Sequence, residues 1–374
     1  MTIAIYFILF AFSLLISLLI TGQAIGWADR LGMLDAPGHR KVHTQTKPRA
    51  GGLGIFIGFF VAISSAAAAA LYFPSGILPQ PLGEFLEHHK AGISREWIAL
   101  LGLLAGGAII FCGGVLDDKR DLSPKAKLGW QLAAALLLIG CGYRVDFHKV
   151  LWDHPAGEYL IAIPFTLFWM LFLMNAFNLL DNMDGLSAGV AAITTTFFAA
   201  YAHWQEEFFL AAAMATLVGA LLGFLKYNWH PSRIFMGDGG ALLVGFLIAA
   251  FTCRCTYFQT GEESRQGVLT LLTPLVIMAV PIFDTVTVVL IRLKNGKPIM
   301  EGDTNHFSHR LVALGLSQKH AVQVIYCVTI FTGLGALILR TATLGQAFLI
   351  VLQVLSVFGM IWVLESRQRR GKEG

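Results

Sequence analysis

Charge is scarce in this chain. Asp, Glu, Lys and Arg make up 13% of its 374 residues, about half the share of an ordinary soluble protein. With 56% hydrophobic residues and a mean hydropathy of +0.67, that shortage excludes a soluble globular protein. Cysteine is sparse too. Its five copies (Cys112, Cys141, Cys253, Cys255, Cys327) lack the spacing of a metal-binding set, so a zinc module and a disulfide framework are both excluded. They read as small buried hydrophobes. Internal repeats, low-complexity linkers, a dinucleotide-binding fingerprint and a Walker loop are likewise missing.

What the chain has is apolar length. Stretches of about 20 residues, enough to cross ~30 Å of hydrocarbon, recur at 3–26, 51–73, 97–116, 126–143, 158–179, 185–203, 208–227, 239–258, 268–291, 320–339 and 343–364. They predict an all-α polytopic membrane protein of about eleven transmembrane helices, with residues 1–374 as one integral-membrane domain. The run "SSAAAAA" at 64–70 fits close helix packing. The first stretch has no Lys or Arg before it and a basic loop after it, so it reads as an anchor with the N-terminus outside. That orientation puts twenty of the 27 Lys and Arg residues on the cytoplasmic side and leaves seven on the other, the bias expected of an inner-membrane protein. The C-terminus is then cytoplasmic.

The polar residues gather on that cytoplasmic side. "LDAPGHRKVHTQTKPRAGG" (34–52) is a basic loop, read mainly as an orientation signal, whose closing glycines allow a backbone to approach a phosphate. In "LDDKRDLSPKAKLGWQ" (116–131), Asp117 and Asp118 end the third span. Ser123 reads as an N-cap and Pro124 as the first helical residue, so Lys125 and Lys127 fall in the first turn of the fourth. Cations are poorly placed at that positive helix end. Either a bound anion or Asp–Lys pairing resolves the conflict.

In "NAFNLLDNMDGL" (175–186), the residues Asn175, Asn178, Asp181 and Asp184 advance in steps of three. Each step drifts about 60° around a helix, so the helix is predicted to stop near Asn178–Asp181 and the chain to turn through Asn182 and Gly185. Broken helices at membrane depth are tolerated where they line a cavity. In "YNWHPSRIFMGDGGALLVGF" (227–246), Asp238 lies between glycines at a helix start, as a cap or as a cation holder beside a phosphate. "DTNHFSHRLVALG" (303–315) adds His306, His309 and Arg310. Hard oxygen donors with cationic clamps suit Mg²⁺ better than zinc. The chemistry that uses them is transfer of a phosphate-linked group.

"DDKRDLSPKAKLGWQ", "NAFNLLDNMDGL", "FMGDGG" and "HFSHRL", after "LDAPGHRKVH…GG", resemble the motifs of the polyprenyl-phosphate N-acetylhexosamine-1-phosphate transferases, over about residues 34 to 315. The similarity is greatest to the branch that acts on UDP-GlcNAc, because the triple histidine of the peptidoglycan-lipid enzyme is missing here. The resemblance implies that undecaprenyl phosphate attacks the β-phosphate of a UDP-N-acetylhexosamine and that UMP leaves at the inner face of the bacterial cytoplasmic membrane. It implies Mg²⁺, with Mn²⁺ as an allowed substitute, held chiefly by Asp238 with Asn178. Asp117 and Asp118 face the lipid phosphate, and which of them takes the proton stays open. Asp181, Asp184, Asn228 and Phe235 bind the uridine side, His306, His309 and Arg310 the sugar or pyrophosphate, and Lys125 and Lys127 screen phosphate charge. The expected partners are the UDP-sugar, the lipid carrier and the bilayer, with no nucleic acid; a homodimer is allowed.

The chain departs from that pattern in three places: Asn182 where glycine is usual, Ala241 for serine, and Ser308 for one histidine. Asp284 also matches the pattern, but it lies inside the ninth span, where a purely structural pairing is the competing reading. A transporter is the rival class; it would put its carboxylates near the midplane between inverted repeats, which this chain lacks.

Overall fold

A computed structural model describes residues 1–35, 46–72, 96–145, 158–255, 271–298 and 305–373, with side chains to Glu365 and a few single positions between 83 and 94. Helices α1 (Thr2–Trp27), α2 (Gly52–Tyr72), α3 (Trp97–Arg120) and α4 (Pro124–Gly140) form the first half. Then come α5 (Ile163–Leu180, entered through a π turn at Glu158–Ala162), α6 (Leu186–Trp204), α7 (Phe208–Asn228) and α8 (Gly237–Arg254). The last group is α9 (Leu272–Ile277), α10 (Ala279–Lys294), α11 (Phe307–Ala313), α12 (Gln318–Ile338) and α13 (Leu344–Glu373). A short antiparallel ribbon pairs β1 (Leu34–Asp35) with β2 (Lys47–Pro48), Leu34 opposite Pro48.

The protein is an all-α, multi-pass membrane protein. Among the described residues, eight helices are long and apolar enough to cross a membrane. The other three predicted spans are helical at the predicted places but differ in make. Helix α4 has 17 residues, about 25 Å of rise. Helix α6 is diluted by Ser187 and the threonines 194–196. The ninth span is split at Met278 into α9 and α10, because Pro281 has no N–H to offer the Ile277 carbonyl. The last helix continues beyond 364 to Glu373.

Helix α8 is the centre of the bundle. It packs on α3, α5, α2 and α6, and 89% of its membrane-length window is buried. Small residues make this possible. A Cβ at Gly114 of α3 would stand 2.5 Å from the Gly239 Cα, and one at Gly52 of α2 would stand 2.6 Å from that of Gly240. Backbones that approach so closely gain dispersion contact, which drives association where lipid offers no hydrophobic force. Several buried threonines of the bundle return their hydroxyls to their own helix, as Thr194 does to Val190 O and Thr216 to Ala212 O.

Candidate active site

The C-terminal ends of α3, α5 and α7 meet the N-terminal ends of α4, α6 and α8. The start of α8 organises this junction. Its first N–H groups lack helical partners, and the Asp118 carboxylate at the end of α3 takes two of them, Asp238 N at 3.0 Å and Gly239 N at 3.2 Å. The Asp118 side chain is 1% exposed and has the Arg49 guanidinium 3.9 Å away. Arg49 also pairs with Asp35 of the ribbon at 3.4 Å.

With the helix end already capped, the Asp238 side chain is free to face the junction. It is one-third exposed. Its Oδ1 accepts from Asn178 Nδ2 at 3.0 Å, and its Oδ2 lies 3.7 Å from Lys127 Nζ. The same ammonium sits 2.6 Å from Asp117 Oδ2, while Asp117 Oδ1 accepts from Leu122 N. Lys127 therefore stands between two carboxylates. The predicted N-cap is present, Ser123 Oγ accepting from Ala126 N, and Asp–Lys pairing is how the misplaced cation is accommodated. Lys125 is exposed, and among the described residues no hydrogen bond or ion pair ties it to this cluster.

The chain turns between Leu180 and Leu186, as the spacing predicts. Gly185, at φ +77°, gives its N–H to Asn228 Oδ1 at 2.9 Å, and Asn228 Nδ2 donates to Ile234 O at 2.8 Å. Asn228 thus clamps the turn to the loop after α7 through both ends of its amide. Asp184 accepts from Ser232 Oγ (2.7 Å), Ser232 N (3.0 Å) and His230 Nδ1 (3.0 Å). Burial alone would raise its carboxyl, but these donors and the Lys47 charge hold it below the usual carboxylate range. Asp181 has the opposite setting. Enclosed by protein on most sides and repelled by Asp238 and Asp118, it is pushed up to about 7. Two carboxyls three residues apart are thereby driven in opposite directions.

Helix α11 closes the other side. The buried Asp284 holds its start, facing His306 Nδ1 at 2.9 Å and accepting from Phe307 N. His309 lies beside His306 with ring centroids 6.3 Å apart and is the more accessible of the two. Arg310 is turned into the protein. Its guanidinium pairs with Glu365 of α13 at 3.4 Å, donates to Thr287 and lies over the Phe283 ring.

Two residues, Lys47 and Glu365, escaped the sequence reading, and one that it named, Asn175, has a partner it did not foresee. Lys47, taken there as an orientation charge, lies 5.1 Å over the Phe235 ring and donates to Ser232. Glu365 lies in the tail, with no motif around it. Asn175, the first of the four stepped residues, makes a reciprocal amide pair with Gln131 of α4. A glutamine inside an apolar helix was the only available sign.

The match to known proteins covers most of the chain. The model of glycosyl transferase family 4 matches residues 100–256. A probable undecaprenyl-phosphate N-acetylglucosaminyl 1-phosphate transferase of Bacillus subtilis is 33% identical over 94% of this chain and 89% of its own length. A decaprenyl-phosphate N-acetylglucosaminephosphotransferase of Mycolicibacterium smegmatis is 30% identical over 95% and 88%. The undecaprenyl-phosphate alpha-N-acetylglucosaminyl 1-phosphate transferase of Escherichia coli K12 is 24% identical over 88% and 83%. A transporter reading falls away, and the chain belongs to glycosyl transferase family 4, on the branch of the polyprenyl-phosphate N-acetylglucosamine-1-phosphate transferases.

Proposed function

We propose that this transferase moves N-acetylglucosamine-1-phosphate from UDP-GlcNAc to undecaprenyl phosphate at the cytoplasmic face of a bacterial inner membrane. The observation that carries the reading is Lys127 held between Asp117 and Asp238 at the mouth of the helix junction. A cation shared by two carboxylates is a place where two phosphate anions can be brought together, and proximity of that kind contributes about 7–11 kcal/mol. An oxygen of the lipid phosphate forms the new bond to the β-phosphorus, the bond to the bridging oxygen of UMP breaks, and UMP leaves with that electron pair.

Of the adjacent aspartates, Asp118 is committed to the backbone of α8. Asp117 is aimed at the cluster and is the better placed to take the proton of the lipid phosphate. Asp181 and Asp184, on the turn that Asn228 clamps, face the uridine side with Lys47 and Phe235; His309 lies toward the sugar. The acceptor is already an anion, so a single displacement needs no covalent enzyme intermediate.

Among the described residues, no three His, Cys, Asp or Glu side chains are grouped to hold a metal by themselves. The donors present are nonetheless hard oxygens, the one-third exposed Asp238 carboxylate beside Asn178. Mg²⁺ is commonly held by one or two carboxylates and the phosphates of its substrate, and Mn²⁺ uses the same donors. Bound there, the ion would neutralise pyrophosphate charge.

The chain crosses the bilayer eleven times in this reading, with α4, α6 and the α9–α10 pair completing the count. The names of the relatives leave two carrier lengths in play. Purified protein is therefore offered a panel of UDP-sugars with undecaprenyl or decaprenyl phosphate and Mg²⁺, and UMP is measured. UDP-GlcNAc with undecaprenyl phosphate should be turned over, and the UDP-MurNAc-pentapeptide precursor should not. Preference for the larger precursor would refute the substrate assignment.

A further inference from the structure

One contact joins the turn after α5 to helix α11. Ser308 Oγ donates to Asn182 Oδ1 at 2.6 Å, across 126 residues. Asn182 Nδ2 donates in turn to the Leu179 carbonyl at 2.8 Å, one of the acceptors left without a helical partner at the end of α5. The amide is therefore fixed at both ends, one on α5 and the other on the second residue of α11. Ser308 is 1% exposed, so water does not compete for its hydroxyl.

The two partners are also two of the three positions where the chain departs from the pattern it resembles. Glycine at 182 would have no side chain to reach Ser308, so the link exists only with the asparagine found here.

We propose that Asn182 and Ser308 act as one positioning unit, setting α11 against the Asp181–Asp184 turn and so shaping the fit of the UDP-sugar. The proposal rests on the transferase reading above. The neighbours of the pair are the groups assigned to that substrate: Asp181 and Asp184 on the turn, His306 and His309 on α11. Asp284 still holds the first turn of α11 when the pair is broken. The helix then stays folded while its angle to the turn relaxes. Asp117, Lys127 and Asp238 belong to other helices and keep their geometry.

The test is a double-mutant cycle on Asn182→Ala and Ser308→Ala, with Ser308→Thr as the conservative variant. KM is measured separately for UDP-GlcNAc and undecaprenyl phosphate, and melting temperature in detergent is followed in parallel. Each single substitution should raise KM for UDP-GlcNAc about five- to tenfold, the weight of one buried hydrogen bond. The double variant should be no worse than either single one, KM for the lipid should not move, and Ser308→Thr should restore the wild-type value. Multiplying effects, a parallel rise in both KM values, or a threonine variant no better than alanine would overturn the proposal. If wild-type protein releases no UMP, the transferase reading fails by itself. The melting cycle then judges the pair: equal losses in the singles and no further loss in the double support it, and additive losses refute it.

Discussion

The backbone N–H of Asp238 donates to the side chain of Asp118, 3.0 Å away and 120 residues earlier. The contact divides labour between two carboxylates that look equivalent in sequence. Asp118 offsets the positive end of the α8 dipole, and Asp238 is left to face Asn178 and Lys127 in the helix junction.

Asp118→Ala should therefore be a stability variant. It orphans two N–H groups in a buried setting, at about 1–3 kcal/mol, and the melting temperature in detergent should fall by several degrees. Asp238→Asn should leave the melting temperature near wild type and lower turnover by about 10²-fold or more. An active Asp238→Asn enzyme at ordinary Mg²⁺ would remove this residue from the proposed metal site.

Asp184 supplies a pH dependence. Its carboxyl is lowered in the folded protein, so the stability it contributes is fully present above the unfolded carboxylate value, about 3.9, and is lost as pH falls through the lower folded value. Melting curves of wild type and Asp184→Asn should be well separated near neutrality and converge only in acid below that point. A gap that stays constant with pH would show that the charge of Asp184 contributes nothing.

Glu365 should matter despite its place in the tail. It and Arg310 are 7% and 9% exposed, and Phe358 of the same helix stacks on Phe283 at 4.2 Å. Glu365→Ala leaves the buried guanidinium without its carboxylate, a change worth about 3 kcal/mol or more. Unfolding in denaturant should show the loss, and Glu365→Gln should recover part of it. Wild-type stability in the alanine variant would mean that Thr287 and Phe283 suffice.

Topology can be checked independently. Reporter fusions after 374 and within 303–310 should report cytoplasm, and one within 74–95 the outside. A cytoplasmic signal from 74–95 would separate the clusters that the helix junction brings together.

Local grammar was readable in advance. The Ser123 cap, the stop at Leu180 and the turn through Gly185 all follow from near neighbours in the chain. Long-range partnership was not. Nothing around Asp118 says that its carboxylate caps a helix formed much later, and nothing around Arg310 points to Glu365. Helical periodicity reports which face a residue occupies, and the residue across from it depends on how the helices cross. Asn175 shows the same limit from the other side: its spacing groups it with Asn178, yet Gln131 on the neighbouring helix decides where its amide points.

The central position of α8 bears on how the protein is made. At a mean hydropathy of 1.3 its window is the least apolar of the eight, a weak signal for a segment that must leave the translocation machinery on its own. The helices it packs against, α2, α3, α5 and α6, all precede it. Synthesis runs from the N-terminus, so these four are already in the bilayer when Gly237–Arg254 emerges. Partners such as Gly52 and Gly114, which meet Gly240 and Gly239 in the finished bundle, are then present before it, as is the residue that caps it, Asp118. Order of birth does for this segment what greasiness does for the others.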